Sequence, residues 1–319
     1  MTEPLLQSVD PRFSGADLAL GSFGAHGSLL VLVGAWGPLF ELIAGSRSLA
    51  GGRLELAGRP AEGAAARGDV GLARRDAPLP PTWSAHEVLT ASAELLGDSR
   101  RKASARARQL MGELGLEGLA GKRPAALRPA EWRAIGVAAA VLGAPPVLAI
   151  EEPFAGLEPS GQAYLDAVIG RALRGRAGLV SVGELPGSPS EDAFASRSDE
   201  LLFVSGRRLV ARGSYRELSS RAKSYRVVVQ RSADRHSADQ HSADQNRADA
   251  LLARLGEAGY EVRRMSTADA TTLWLTDRAG LGTVPVFRAA LAVEAPILEL
   301  VPLALAVRAA GEPPRAAER

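Results

Sequence analysis

Three short, continuous apolar runs constrain the fold of this chain more than any other feature. They are Ser28–Val33, Val147–Ile150 and Gly178–Val182, and the first leads through a glycine turn at residues 34–37 into an apolar helix that reaches Gly45. Strands that are apolar on both faces are typical of a parallel sheet covered by helices on both sides. The sequence therefore predicts an α/β fold.

The segment between the first two runs is long and helical in pattern. Apolar residues recur with helical spacing around Ala103–Leu114 and Glu131–Leu142, which predicts an inserted helical subdomain over about residues 86–142. After the third run, Leu201–Val210 reads as a hairpin whose turn is Ser205-Gly206. We expect one large domain over residues 1–222.

A second domain is predicted over residues 223–305, followed by a tail at 306–319 that starts as a helix and ends disordered. The element order there is βαββαβ, which is typical of a ferredoxin-like α+β domain. The predicted strands and helices are Tyr225–Val229, Ala248–Glu257, Val262–Met265, Thr271–Thr276, Val284–Ala292 and Ile297–Leu300.

An insert at residues 231–247 repeats a five-residue unit, as SADRH, SADQH and SADQN. His236 and His241 are five residues apart, which on a helix separates them by roughly 140°, so they do not converge on one metal ion. We expect a solvated, repeat-expanded loop and no metal site. His26 and His86 have no catalytic companion in the sequence and are expected to be structural.

Composition excludes several classes of protein. The 319 residues carry a formal net charge of +2 with acidic and basic residues interspersed, which does not indicate nucleic-acid binding. Cysteine is absent, which excludes disulfides and thiolate sites. Met1–Asp17 lacks the pattern of a signal peptide, and the apolar stretch Ile135–Ile150 is too short to cross a bilayer. A cytoplasmic location is expected, with any membrane contact made through a partner.

Several segments, in order, resemble the ATP-binding subunits of ABC transporters. The stretch VLAIEEPFAGLEP at residues 147–159 is similar to the family's Walker B strand and D-loop, and Arg207–Leu218 looks like its GRLVAEGSPEEL element. The resemblance covers Phe13–Leu218, and the region from Tyr225 resembles the C-terminal regulatory domain of drug-exporter or gliding-type subunits. It implies a P-loop NTPase-like nucleotide-binding domain with an inserted helical subdomain.

The resemblance places the phosphate-binding loop at the glycine turn, where Gly34 and Gly37 remain. Aligned with a gap, four residues are missing at the Gly-Lys-Ser core. Aligned without a gap, Phe40 stands at the lysine position and Glu41 at the Ser/Thr position, and Pro38 removes a backbone donor. None of the chain's lysines, Lys102, Lys122 and Lys223, is near this turn.

The other stations of the family also differ here. Arg75 replaces the glutamine that senses magnesium, Gly183 replaces the switch histidine, and the signature LSGGQ corresponds to residues 127–131, with Arg128, Pro129 and Ala130 in place of its serine and glycines. The resemblance implies that the segment from Arg74-Arg75 to Trp83, with His86, faces the coupling helices of the membrane subunit. Contact with that partner and a solvated loop are the two interpretations of this segment.

Three further positions keep something of the family pattern. Glu151 stands for the Walker B aspartate, Glu152 for the general base, and Phe13 for the aromatic residue that stacks on adenine. An acidic pair retained by descent and a core phenylalanine are the structural alternatives for these residues.

The resemblance implies three functional hypotheses. The first is a degenerate member, a non-catalytic adaptor or regulator that needs no cofactor and disfavours ATP and Mg²⁺. It would dock on an ABC permease, an intact ABC ATPase or both, as a homodimer or heterodimer, peripheral at the inner face of the membrane. The second is an active transport ATPase with an unconventional site that uses Glu152. The third assigns the function to the C-terminal domain, as a dimerisation or sensing module. Substrate, permease and transport direction are not encoded in any motif.

Overall fold

The computed structural model describes residues 3–183, 194–205, 207–221, 224–230, 238–266, 270–277, 281, 283–293 and 295–302. The chain divides into two compact units, Met1–Tyr215 and Arg216–Arg319. The division lies seven residues before the end of the predicted domain 1–222. The proposed tail at 306–319 lies outside the described residues.

A six-stranded sheet forms the centre of the first unit. Five neighbouring strands are parallel and the edge strand Arg208–Gly213 is antiparallel to Glu200–Ser205. The strand predictions at residues 28–33, 147–150 and 178–182 are confirmed, because continuous apolar runs suit a sheet buried on both faces. From one edge to the other, the strands are Arg208–Gly213, Glu200–Ser205, Leu29–Val33, Ala177–Val182, Val147–Ile150 and Val70–Ala73.

The hairpin prediction at residues 201–210 is confirmed in its two strands. Its turn was placed at Ser205-Gly206, but Ser205 is the last residue of the first strand. Gly206 lies outside the described residues.

A smaller antiparallel sheet precedes the helical stretch. Its strands run in the order Phe23–Ala25, Leu6–Phe13, Leu49–Leu56 and Arg59–Pro60. The side chains of this sheet share one apolar core with the glycine-turn helix, Gly37–Ala44. The sequence pattern did not predict this sheet, because its strands mix glycines, charges and short apolar runs.

Helices fill the predicted subdomain and cover the sheet. The helices of the subdomain are Ala85–Leu95, Arg100–Leu114 and Pro129–Val141, with 3₁₀ turns at Glu117–Leu119 and Pro124–Ala126. Ser84 caps the first of them through a reciprocal hydrogen-bond pair with Glu87. Helix Pro159–Ala172 follows the acidic strand end, and Tyr215–Arg221 follows the edge hairpin. In the part of the chain with described residues, no helix combines the length and apolarity needed to cross a bilayer.

The second unit has the predicted βαββαβ order. Its four strands, Ser224–Gln230, Tyr260–Ser266, Ala270–Asp277 and Ile297–Pro302, pair antiparallel, with the first strand between the third and the fourth. Helices Ala238–Glu257 and Val284–Ala292 complete it. Val227, Leu251, Leu273 and Val286 are fully buried in its core.

One expectation for this unit is corrected. Residues 238–247 were predicted to belong to a loop, but the helix begins at Ala238, ten residues before the predicted start. The repeat from 238 onward contains no glycine or proline, so it can extend a helix that Leu251 and Leu255 pack against the sheet. His241 lies on this helix, and His236 lies outside the described residues.

Candidate functional site

The glycine turn is a short connection filled by its own tryptophan. Strand Leu29–Val33 and helix Gly37–Ala44 are separated by only three residues. Trp36 is 1% exposed, and its Nε1 donates to the Val33 carbonyl oxygen at 3.0 Å. Gly34 has φ of +102°, and a Cβ there would collide with the Val204 carbonyl oxygen, so only glycine fits.

Two of the four backbone amides of the turn, those of Gly34 and Trp36, and two amides of the following helix have acceptors within the protein. Gly34 N–H donates to the Val182 carbonyl at 3.2 Å, and Trp36 N–H donates to the Gly34 carbonyl at 3.0 Å. The Leu39 and Phe40 amides donate to the Trp36 carbonyl at 2.9 and 3.4 Å. Pro38, in the first helical turn, has no amide hydrogen. The turn therefore offers few free donors to an anion.

The two residues that the ungapped alignment puts at the lysine and hydroxyl positions face different surroundings. Phe40 is fully buried in the core between the sheets. Glu41 is partly exposed and forms an ion pair with Arg47 at 2.6 Å. Neither side chain brings a positive charge or a hydroxyl group to the turn.

The acidic strand end, Glu151 and Glu152, is engaged by two arginines. Arg74 Nε lies 2.9 Å from Glu151 Oε2, and Arg75 Nη1 lies 2.7 Å from Glu152 Oε2. Both arginines follow the neighbouring strand Val70–Ala73, which pairs in parallel with Val147–Ile150. Because parallel strands end at the same edge of the sheet, the two dipeptides face each other.

Glu152 is also fixed through its backbone. Its φ of +41° is unusual for a residue with a side chain. Its amide donates to Ser181 Oγ at 3.0 Å, and Ser181 is 2% exposed. The local fold therefore holds Glu152 in a strained conformation.

Three more charged or polar side chains complete this region. Asp76 accepts from Arg75 Nε at 2.7 Å, and this hydrogen bond raises the pKa of the arginine. Arg133 donates to the Pro153 carbonyl at 2.8 Å, and burial lowers its pKa. Trp132 donates through Nε1 to the Ala77 carbonyl at 3.0 Å. Arg74, Arg75 and Arg133 thus balance Asp76, Glu151 and Glu152 in charge.

The start of helix Pro129–Val141, at the signature position, is occupied by the chain's own carboxylate. Glu131, 4% exposed, accepts from the Arg128 amide at 2.9 Å, from its guanidinium at 3.0 Å, and from Lys122 Nζ at 3.2 Å. Burial raises the pKa of Glu131, but these hydrogen bonds outweigh it and lower the pKa to about 2. Pro129 occupies the first helical turn, and Ala130 is buried.

The remaining predicted positions lie apart from these contacts. Phe13 ends strand Leu6–Phe13 and is 5% exposed, within the core of the first unit. Gly183 directly follows strand Ala177–Val182, and a Cβ added to it would meet no described atom within 4 Å. His86 contacts Ser104 through Nε2, at 3.2 Å from the carbonyl oxygen. Across the described ranges, no group of three or more His, Asp or Glu side chains could hold a metal ion.

An apolar groove lies beside the acidic strand end. It has a cavity volume of about 540 Å³. One wall is the segment 74–83, named here the arginine loop, and the other is helix Ala85–Leu95, while Gly136 and Ala139 contribute small residues. Trp83 is 42% exposed and Leu95 is 89% exposed. Large apolar side chains at an open groove are typical of a protein-binding surface.

Comparison with known proteins decides the family. No family model matches the chain. The lipoprotein-releasing system ATP-binding protein LolD of Ruegeria sp. (strain TM1040) is 30% identical over 208 residues, which cover 62% of this chain and 88% of that relative. This chain belongs to the ABC transporter ATP-binding subunit family. The taurine import ATP-binding protein TauB of Pseudomonas entomophila (strain L48) is 32% identical over 163 residues, which cover 48% of this chain and 61% of that relative.

Solved ATP-binding subunits share the fold of this family member. CbiO1 from Clostridium perfringens, part of the ABC transporter complex CbiONQ, has a TM-score of 0.57 at 17% identity and covers 69% of this chain and 92% of its own. The ATP-binding subunit of another ABC transporter has a TM-score of 0.53 at 22% identity, with coverage of 68% and 92%. The α/β nucleotide-binding fold predicted from the sequence is thereby confirmed.

The structure adds contacts to the candidate site that sequence reasoning had missed. Arg74 contacts Glu151, Ser181 contacts Glu152, Trp132 contacts the arginine loop, and Arg133 contacts Pro153. Their partners are distant in sequence, and the arginine pair Arg74-Arg75 was the single signal available. Reading it as two cations beside a parallel-strand end could have indicated a charge match with the next strand's acidic pair.

Proposed function

We propose that this member of the ABC transporter ATP-binding subunit family no longer hydrolyses ATP and acts as a non-catalytic adaptor or regulatory partner of an ABC permease complex. The observation that carries this proposal is the three-residue connection at the glycine turn, which Trp36 fills, with Phe40 buried at the lysine position. A triphosphate needs several converging amide donors and a cation, and this turn supplies few of either.

The donors at the turn fit a triphosphate poorly. Phosphate groups carry several negative charges, and the ungapped alignment puts an acid, Glu41, which pairs with Arg47, at the Ser/Thr position. At a separation of 4 Å and an effective dielectric constant of about 20, two unit charges interact by about 4 kcal/mol, so repulsion in place of attraction removes much of an ordinary binding energy.

The acidic strand end supports the same proposal. Mg²⁺ prefers carboxylate and water oxygens, but each glutamate here already pairs with a guanidinium group. A general base also needs an open carboxylate beside the attacking water, and Arg75 contacts the carboxylate of Glu152.

The start of helix Pro129–Val141 supports the loss of a shared ATP site. In this family the signature segment of one subunit faces the nucleotide on the other. Here the Glu131 carboxylate accepts the amide of Arg128, and Pro129 removes a donor from the first helical turn. A paired intact ATPase would therefore meet a carboxylate where its nucleotide carries phosphates.

We propose that an apolar-faced helix of a permease subunit occupies the groove. ATP-binding subunits of this family pair with membrane permeases, and the groove offers an apolar wall at Leu79 and Trp83 and small residues at Gly136 and Ala139. Small residues let a helix backbone approach closely, and an exposed tryptophan suits a binding hot spot.

We assign the second unit to the ferredoxin-like regulatory domains of drug-exporter or gliding-type subunits. The support is its βαββαβ order together with the pairing of its first strand between the third and the fourth. Dimerisation or ligand sensing by this unit is compatible with the adaptor role of the whole chain.

Calorimetric titration of the full chain with Mg-ATP tests the loss of nucleotide binding. We expect no heat of binding up to millimolar nucleotide and no rise in the unfolding temperature, whereas a ligand present at 100 times its Kd would add about 2.7 kcal/mol of stability. ATP without magnesium serves as the control for ionic-strength effects.

The competing hypothesis predicts the opposite result. If Mg-ATP binds and is turned over, and Glu152→Gln abolishes turnover without changing binding, the chain is an active ATPase with an unconventional site. Stable binding of Mg-ATP without turnover would contradict the proposal that the glycine turn cannot hold a triphosphate. The proposed loss of hydrolysis would still stand.

A further inference from the structure

We infer that Glu151 and Glu152 are positioning residues for the groove: they anchor the arginine loop that forms its wall. The inference rests on the proposed function only for the identity of the natural occupant. The physical claim is that ion pairs with Glu151 and Glu152 hold the arginine loop in place, because the loop has few other contacts among the described residues.

The arginine loop has few internal constraints. It lies between strand Val70–Ala73 and helix Ala85–Leu95 and has no regular secondary structure. Three of its ten residues are prolines, which cannot donate a backbone hydrogen bond. The Trp83 amide donates to the Pro80 carbonyl at 3.2 Å, which closes the loop on itself without attaching it to the sheet.

The contacts that attach the loop come from its first four residues. Arg74 and Arg75 pair with Glu151 and Glu152, and the Ala77 carbonyl accepts from Trp132. These contacts reach two elements that are fixed by other means. The strand Val147–Ile150 is buried throughout, and the helix Pro129–Val141 packs against the strand Val70–Ala73.

The same residues join the anchors to the groove. Arg74 and Ala77 both line the cavity and both make an anchoring contact, and Leu79 and Trp83 follow them along the wall. Releasing the anchors therefore changes the shape of the wall, whereas Gly136 and Ala139 stay on their helix. The acidic pair thus acts on a ligand in the groove through Arg74 and Arg75.

Amide hydrogen exchange of the full chain tests this role. The variants are Glu152→Gln and Arg75→Gln, which remove one charge each with little change in size. We expect exchange at the five non-proline amides of residues 76–83 to rise about two- to fivefold, the range for a partly exposed ion pair. The charge exchange Arg75→Glu with Glu152→Arg, made together with Asp76→Asn because Asp76 contacts Arg75 at 2.7 Å, should restore exchange to within about twofold of wild type.

A matched control separates anchoring from general destabilisation. Arg106→Gln breaks the Arg106–Asp98 pair, whose side chains are 39% and 26% exposed, close to the 43% and 29% of Arg75 and Glu152. This variant should leave exchange in residues 76–83 unchanged. Salt at 1 M should raise exchange there in wild type and raise it less in Glu152→Gln, which keeps only the Arg74–Glu151 pair.

Binding of the apolar dye 8-anilinonaphthalene-1-sulfonate gives a second readout. We expect the dye affinity to change about two- to fivefold in Glu152→Gln and Arg75→Gln and to return in the charge exchange. Unchanged exchange and dye affinity in the single variants, or the same changes in Arg106→Gln, would overturn the inference. Neither readout uses nucleotide or permease. Such a failure would therefore not count against the proposed function, which the titration with Mg-ATP tests separately.

Discussion

The glycine turn and the acidic strand end lie at the carboxyl ends of parallel strands in one sheet, and they are closed by different forces. Trp36 and Phe40 fill the turn with apolar surface, whereas Glu151 and Glu152 are covered by guanidinium groups. Apolar burial does not depend on screening by salt, whereas partly exposed ion pairs do. The comparison teaches that two neighbouring strand ends of one sheet can be closed in different ways, one by apolar packing and the other by ion pairing.

The largest effect is expected from the apolar side of this comparison. Trp36→Ala should lower the free energy of unfolding by about 3–5 kcal/mol, because it leaves a cavity in the core. Chemical denaturation measures this loss. Trp83→Ala is the control, since Trp83 is 42% exposed and surface substitutions usually change stability by about 0.5 kcal/mol or less. Equal losses of unfolding free energy in Trp36→Ala and Trp83→Ala would show that the glycine turn is not closed by apolar burial.

Glu131 lies between the two cases, because it is ionic and buried. Its pKa is about 2 in the folded protein against an ordinary 4.5. The carboxylate therefore stabilises the fold above pH 4.5, and this stability is lost as the pH falls from 4.5 to 2. Since each pH unit between the folded and unfolded pKa is worth about 1.4 kcal/mol, the contribution at pH 7 is on the order of 3 kcal/mol.

The variant Glu131→Gln should remove most of that contribution at pH 7 and flatten the acid limb of the stability curve. Denaturation at pH 7, 4.5 and 3 measures both effects. Glu113→Gln, at an exposed site on helix Arg100–Leu114, should leave the curve unchanged. A wild-type curve that stays flat from pH 4.5 to 3 would show that Glu131 is not held as a carboxylate.

The smallest effect is expected at the ionic side. Arg74→Gln should lower the free energy of unfolding by about 0.2–1 kcal/mol at low salt. The effect is small because the arginine is 41% exposed and loses side-chain entropy when it forms the ion pair. Denaturation in 1 M salt should abolish the difference from wild type. A loss that persists in high salt would mean that Arg74 contributes by packing in the groove wall, which would make the two regions alike.

Much of the fold could be predicted from local pattern. The strand Val147–Ile150 matches its apolar run residue for residue, and Gly45 ends its helix in the left-handed conformation as a glycine C-cap does. The first antiparallel sheet was missed because Leu49–Leu56 carries glycines and charges in place of clean alternation. The helix from Ala238 was missed because a polar repeat has no apolar periodicity of its own.

The candidate site was predictable in its positions and not in its contacts. The acidic pair and the changed residues at Phe40, Arg75 and Arg128 follow from the order of motifs along the chain. That Arg75 contacts Glu152 depends on two strands, 77 residues apart in sequence, ending at the same edge of the sheet. Residue type shows the opposite charges of the two dipeptides, but only the order of strands in the sheet decides that they are neighbours.

The sequence by itself determined the family and the absence of lysine, serine and threonine from residues 34–45, because those are properties of which residues are present and in what order. Only the tertiary structure decided that Trp36 is buried in the turn, that Glu131 covers the start of its helix, and that each glutamate of the acidic strand end has an arginine partner. The physical reason is that burial and charge pairing depend on distances between segments, which form only when the sheet brings its strands together.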